Sequence, residues 1–266
     1  MLRGVFVAVL WLVAFPASAA DFGVNWEQAN IFVQGVGKQH PKAKHISWLF
    51  AQKGARVDAQ RNFLDTVKEI RLDNDSLARD EMVESDRVRE DVSALVSGLH
   101  VVRVRRRKDL SVEVLVRVTM AELFSALIPE QRFRELTADV QAQKMHGDER
   151  KYSGVVIDAT GVSSFSPSLL PWIKGFSGSR IYPNAQTPYD VVRSHMAVAY
   201  AYDVESAMNR QERVGVHPLL LKLPAVSQGS RSELRLNKSA TEKFLAALSG
   251  GVNQSAAVII VLDSAN

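Results

Sequence analysis

The sequence predicts an α+β fold in two parts, and three observations carry that prediction. In GLHVVRVRRRKDLSVEVLVRVTM (residues 98 to 120) apolar and charged residues alternate on both sides of a polar turn, the pattern of a β-hairpin with one buried face. Ala51, Ala55 and Ala59 recur every fourth residue and continue into Phe63 and Val67, so they share one face of a long helix. SAAVIIVLD (255 to 263) carries seven apolar residues in a row, a length that fits a central strand and is too short to cross a membrane.

Taken from the amino terminus, Arg3 precedes an apolar run from Val5 to Phe15, then Pro16 and the small residues Ala17, Ser18 and Ala19. That charged, apolar, small order is expected of a cleavable secretory signal peptide over 1–19, with cleavage after Ala19 or, alternatively, Ala20. The chain has no cysteine, so no lipidated cysteine and no disulfide is expected in the exported form. An exported chain of this size without disulfides is expected in a bacterial periplasm, with no transmembrane span once the signal is removed. The sequence holds 33 basic and 29 acidic residues; without Arg3 the excess falls from +4 to +3, too small to argue for a polyanionic partner.

The first domain is expected over residues 20 to 120 as a strand-helix-helix-hairpin unit. NIFVQGVGK (30 to 38) alternates through Ile31, Val33 and Val36 and ends in glycines, which predicts a strand leading to a loop. A helix is predicted from about Ser47 to Ile70, its alanine seam suited to a close approach to a sheet. Residues 73 to 91 hold eight acids against three arginines, without the glycine and closing glutamate of a calcium loop, and read as a solvated connection. A second helix carrying Val88, Val92, Leu95 and Val96 is expected to stop near Gly98. The hairpin follows, with Val102, Val104, Val112, Val114, Val116 and Val118 on its buried face.

Residues 121 to 150 read as a polar helical connector interrupted by Pro129. The second domain, 151 to 266, is expected to be mostly β with one or two helices. Its strands are predicted at 152 to 159, about 170 to 175, about 179 to 182, about 192 to 202, 215 to 223 and 256 to 262. One helix is predicted from Ser239 to about Leu248, with Ser239 and Glu242 spaced as a capping box and Gly250 ending it.

Chemistry is sparsely signalled. GVVIDATGV (154 to 162) presents Asp158 at the end of a predicted strand, and Asp158 is the one catalytic candidate. An aspartic protease needs two carboxylates, each followed directly by Thr-Gly or Ser-Gly; here Ala159 intervenes and no second such sequence exists. The structural reading makes Asp158 and Thr160 hydrogen-bond the backbone of a turn. The six histidines, His40, His45, His100, His146, His195 and His217, show no zinc-ligand spacing, and neither a Gly-x-Ser-x-Gly elbow nor a phosphate loop is present, so no metal and no cofactor is expected. The cluster Arg103, Arg105, Arg106, Arg107 and Lys108 is a candidate anionic-surface site for cell-wall or lipid material. It lacks interleaved aromatics, so nucleic acid is not expected, and formal charges over residues 21 to 150 sum to zero.

Several stretches together resemble a family of bacterial envelope proteins, the twenty-kilodalton-lipoprotein family, whose domain also occurs in the flagellar assembly proteins P and T. In the first half these are VQGVGK, AQKGARVDAQRNFLDTV and VEVLVRVTM; in the second they are YSGVVIDATGV, SPSLLPWI, RVGVHPLLLKL and AAVIIVLD. Two features depart from the family: the lipidation cysteine is absent, and residues 71 to 86 are charged where a short strand is expected. The resemblance implies a non-enzymatic structural or assembly role in the envelope. It implies envelope-protein partners, outer-membrane or flagellar basal-body components among them, and homo-oligomers, and it supplies no catalytic residue. The alternatives from the residues themselves are a hydrolase using Asp158 or a module anchored through Arg103 to Lys108.

Overall fold

A computed structural model describes residues 22–38, 47–138, 151–224 and 231–263. The expected signal peptide and the last part of the connector, 139–150, lie outside the described residues. The fold is mixed α and β, as expected. The first half runs β1 (Gly23–Asn25), β2 (Asn30–Gly37), α1 (Ser47–Lys68), α2 (Ala78–Glu84), α3 (Asp86–Ser97), β3 (His100–Arg106) and β4 (Val112–Thr119). Its strands form one antiparallel sheet in the order β1-β2-β4-β3.

The alanine seam explains how α1 lies on that sheet. Ala51, Ala55, Ala59, Phe63 and Val67 are all buried, and β2 meets them with Gly35 and Gly37. A Cβ added at Gly35 would fall under 3.0 Å from the backbone of Ala55 and Ala59, and one at Gly37 would do the same with Ala51 and Ala55. Small residues on both sides thus bring helix and strand backbones into direct contact, which a spacing rule applied to the helix alone cannot show.

The acidic connection is partly structural, a correction to its reading as solvated. Asp73 is buried, and its Oδ1 accepts hydrogen bonds from Asp75 N, Ser76 N and Ser76 Oγ, closing a tight turn. Residues 78 to 84 are helical, and buried Glu81 accepts two hydrogen bonds from the guanidinium of Arg132, at 2.9 and 2.5 Å. The helical connector is also more than polar: α4 (Met120–Leu127) buries Met120, Leu123, Phe124 and Leu127. Pro129 does interrupt it, ahead of α5 (Glu130–Thr137), and Thr119 with Glu122 caps α4 reciprocally.

The second half contains β5 (Gly154–Asp158), β6 (Trp172–Lys174), β7 (Arg180–Tyr182), α6 (Tyr189–His195), β8 (Ala199–Ala201), α7 (Val204–Met208), α8 (Gln211–Val214), β9 (Pro218–Lys222), β10 (Glu233–Arg235), α9 (Lys238–Ala247), α10 (Asn253–Ser255) and β11 (Val258–Val261). A wider π-type turn, Leu248–Val252, joins α9 to α10, so the chain does not simply stop at Gly250. Strands β8-β11-β5-β9 form a wholly parallel sheet, and β10-β6-β7 a small mixed one.

This half holds more helix than the sequence suggested. Residues 192 to 202 split into the end of α6 and the short β8, because half-buried Arg213 donates to the carbonyls of His195 and Met196 and so closes the helix there. The cap of α9 is Asn237, whose Oδ1 accepts from Ala240 N, rather than Ser239 with Glu242. The apolar run in β11 makes sense because both of its faces are covered. Val258 and Ile260 join the main core, while Ile259 and Val261 join a smaller cluster with Ala207 of α7 and Val214 of α8.

The two halves share the main core, which extends from Ile31 to Leu262. Trp26 packs edge-on against Tyr200 with centroids 5.4 Å apart, and Arg210 pairs with Glu27 at 2.8 Å. Tyr189 packs on Phe124 and Phe133 and donates to Ile128 O at 3.0 Å, while Leu169 N donates to Arg71 O. Among the described residues, no helix is long and apolar enough to cross a membrane.

Candidate functional site

Asp158 stands at the carboxyl end of β5, half-buried, between β11 and β9. Its Oδ1 accepts from Thr160 Oγ1 at 2.7 Å and from Thr160 N at 3.2 Å. Its own carbonyl accepts from Leu223 N, and Ala159 N donates to Val261 O. The carboxylate therefore holds the turn after the strand, the side-chain role expected of an aspartate two residues before an amide it can reach. Among the described residues no group of three His, Asp or Glu side chains could hold a metal ion. We expect Asp158→Asn to keep the acceptor and cost about 1 kcal/mol, measured by thermal melting. A hydrolytic activity lost in that variant at unchanged melting temperature would contradict this assignment.

A groove of about 570 Å³ opens at the seam between the halves, lined by Trp26, Ile70, Glu69, Arg71, Ser166 and Tyr202 among others. Asp158 does not line it.

The basic cluster, by contrast, is divided by the sheet. The strand register pairs Val101 with Val116 and Val104 with Val114 on the face under α1, and Arg103 with Leu115 and Arg105 with Glu113 on the opposite face. A bulge at Val102 separates the two stretches of pairing. The expectation that Val102 and Val104 are buried is corrected here: they are 48% and 42% exposed, because β3 is an edge strand and the bulge breaks the alternation. The outward positions Glu113 and Leu115, in the central strand β4, are buried instead, on a face that carries no described helix.

Each cation of the cluster therefore has its own surroundings. The guanidinium of Arg106 lies 4.4 Å from the centre of the Trp48 ring, a cation–π contact that ties the hairpin to α1. Arg107 forms an ion pair with Glu113, which also accepts from Gln34 Nε2 at 2.5 Å. Lys108 is exposed in the turn. Arg103 and Arg105 sit on the open face, joined by Arg117 of β4, which pairs across from Phe32 on one side and His100 on the other. None of Arg103, Arg105 and Arg117 makes an ion pair with another described residue.

The open face thus reads, row by row, as His100, Arg117, Phe32; Arg103, Leu115, Gln34; Arg105, Glu113, Val36. With Arg107 it carries four arginines against one glutamate, a net of +3. The hairpin arginines are legible in the sequence as a cluster but the membership of Arg117 is not, because it lies six residues beyond the turn and reaches the patch only through strand pairing. The signal was present in the alternation of β4, where Arg117 shares its parity with Glu113 and Leu115.

Hydrogen bonding from Arg107 is the main influence on the Glu113 carboxyl and holds it below the ordinary glutamate value of 4.5, against a smaller opposing effect of burial. A depressed folded value means that the contribution of Glu113 is present above the ordinary value and lost as pH falls through the depressed one. We expect melting temperature to fall on acidification below about pH 4.5, and Glu113→Gln to flatten that fall, in a series of melts from pH 6 to pH 3.

Comparison with known proteins bears on the second half. Residues 154–264 match a family model described as Treponema pallidum Tp0624, second domain. No curated protein matches the chain. The match starts at the first residue of β5, takes in the parallel sheet and β6, β7 and β10, and covers less than half of the chain. It is a match to a domain of a spirochaete protein and makes no link to the lipoprotein-like family or to flagellar proteins.

Proposed function

We propose that this chain is a non-enzymatic structural or assembly protein of the bacterial cell envelope, exported to the periplasm, and that it acts through the open face of its first sheet. One observation carries the reading. A four-stranded sheet with α1 on one side leaves Arg103, Arg105 and Arg117, with Phe32 and the exposed Val36 beside them, on the side that no described helix covers. Antiparallel sheets can leave one face in water, but that face is then usually polar; an arginine-rich patch around an aromatic and an aliphatic residue has the composition of a contact surface. The expected signal peptide supports export.

The finer placement rests on the resemblance of VQGVGK, AQKGARVDAQRNFLDTV and VEVLVRVTM to the twenty-kilodalton-lipoprotein family: partners among outer-membrane or flagellar basal-body proteins, and homo-oligomers. These stretches form β2, most of α1 and β4, the elements that build the open face and its support. Asp158 belongs to the turn in this reading. Cross-linking in cells, comparing wild type with Arg103→Glu/Arg117→Glu, tests it. The account expects adducts with envelope proteins that the double variant loses at equal abundance; adducts unchanged by the double variant would contradict it.

A further inference from the structure

We propose that the occupant of the open face is the acidic α2–α3 surface of a second copy of this chain, so that copies associate head to tail. This rests on the contact-surface reading above. The two surfaces lie on opposite sides of one layered unit. α1 covers one face of the sheet, and α3 packs on that same side against α1 and α4. The basic face therefore looks away from the acidic helices, and a molecule cannot satisfy one with the other.

Their charges are complementary. The open face carries +3, while residues 73 to 91 hold eight acids against three arginines, of which six acids and all three arginines lie outside the core, a surface net of −3. Two of those acids, Asp73 and Glu81, are buried and used internally. Asp86 pairs with Arg89 and Asp91 with Arg87. Asp80 caps α2 by accepting from Leu77 N. Glu84 and Glu90 are exposed, and neither forms an ion pair with another described residue.

Apolar groups match as well. Val83, 78% exposed, stands among these acids, and the open face offers Phe32 and the 38% exposed Val36 among its arginines. An apolar centre within charged surroundings is the usual anatomy of an interface.

The joined faces are unlike, so each copy keeps one of each kind free, and the contact can repeat into a ring or a filament. Its size sets its strength. Three strands about 4.8 Å apart and about 25 Å long present roughly 400 Å², well short of the ~800 Å² per partner of a standard stable interface. Association is therefore weak, populated at about 0.1 mM protein in low salt and suppressed near 0.5 M salt, where the screening length falls to about 4 Å.

The test is sedimentation velocity on the exported chain purified from cells, at 20 to 200 µM. We expect wild type to associate in low salt and to become monomeric in high salt. Arg103→Glu/Arg117→Glu and Glu84→Arg/Glu90→Arg should each be monomeric alone, association weakened at least about tenfold. Mixed one to one, they should form a heterodimer, because one keeps an intact acidic surface and the other an intact basic face. That complementation also shows that both variants fold.

A wild type that stays monomeric throughout, or a mixture that fails to associate, would overturn the proposal. So would vesicles of phosphatidylglycerol that bind wild type, and not the arginine double variant, in the absence of self-association. If wild type is monomeric yet cross-links from the open face reach another envelope protein, the contact-surface reading stands and the self-partner falls.

Discussion

Gly35→Ala is expected to destabilise the chain by about 3 kcal/mol or more, lowering the melting temperature by roughly 10 °C. The added methyl would meet the carbonyl of Ala55 and the amide of Ala59, both backbone atoms of α1. A side chain can rotate out of the way of a new group, whereas a helix can only move as a body. Moving α1 outward opens its contact with β2 and β4, including buried Phe63 and Val67. The neighbouring Gly54 is an internal control. It lies in α1, exposed, and a Cβ there meets nothing nearer than Gly37 Cα at 3.8 Å. Gly54→Ala should therefore stabilise by about 0.5 to 1 kcal/mol through helix propensity alone. Thermal melting of both variants separates the effects; equal behaviour would mean that the close approach of α1 to β2 is wrong.

Tyr200→Ala should have an effect of comparable or greater size, about 3 to 5 kcal/mol, because a fully buried aromatic leaves a cavity that rigid strands cannot fill. Tyr200 sits in β8, packs against Trp26 from the first half, and its hydroxyl both accepts from Ser168 N and donates to Ser168 O. Tyr200→Phe keeps the ring and leaves two buried backbone groups of Ser168 unpaired, for about 1 to 3 kcal/mol.

The phenol also fixes a pH dependence. Burial pushes its ionisation, like that of Tyr182, well above the ordinary tyrosine value. A raised folded value means stability is fully present below the unfolded value, about 10, and declines as pH rises beyond it. Tyr200→Phe should accordingly flatten the alkaline limb of a melting curve series between pH 9 and pH 11. Because Trp26 and Tyr200 belong to one core, Tyr200→Ala should lower a single transition for both halves; two transitions, one unmoved, would show that the halves unfold apart.

The strongly patterned elements were legible in the sequence. Ala51, Ala55, Ala59, Phe63 and Val67 placed α1, and the alternation around residues 107 to 111 placed the hairpin, because in both cases a single buried face imposes its own period on the chain. The acceptor role of Asp158 toward Thr160 was also readable, since it depends on residues two apart.

What escaped depends on distant partners. Val102 and Val104 fit the alternation yet lie exposed, since a bulge and an edge position are properties of pairing rather than of composition. Glu81 looks like one more surface acid until Arg132, 51 positions on, is folded against it. Residues 192 to 202 read as a strand because their apolar character is real, while the carbonyls that end α6 are held by Arg213 from another element. Arg117 joined the basic patch in the same way, through β4 lying between β3 and β2.

The claim on which the rest depends is that the uncovered face of the first sheet is where this chain meets other proteins. Its most direct test places a photo-activated cross-linking residue at Phe32 or Gln34 on that face, and at Phe176, exposed in the second half, and irradiates living cells. The account predicts protein adducts from positions 32 and 34 that Arg117→Glu weakens, and few from 176. Adducts from 176 alone, or from none of the three positions in a stably folded chain, would contradict it.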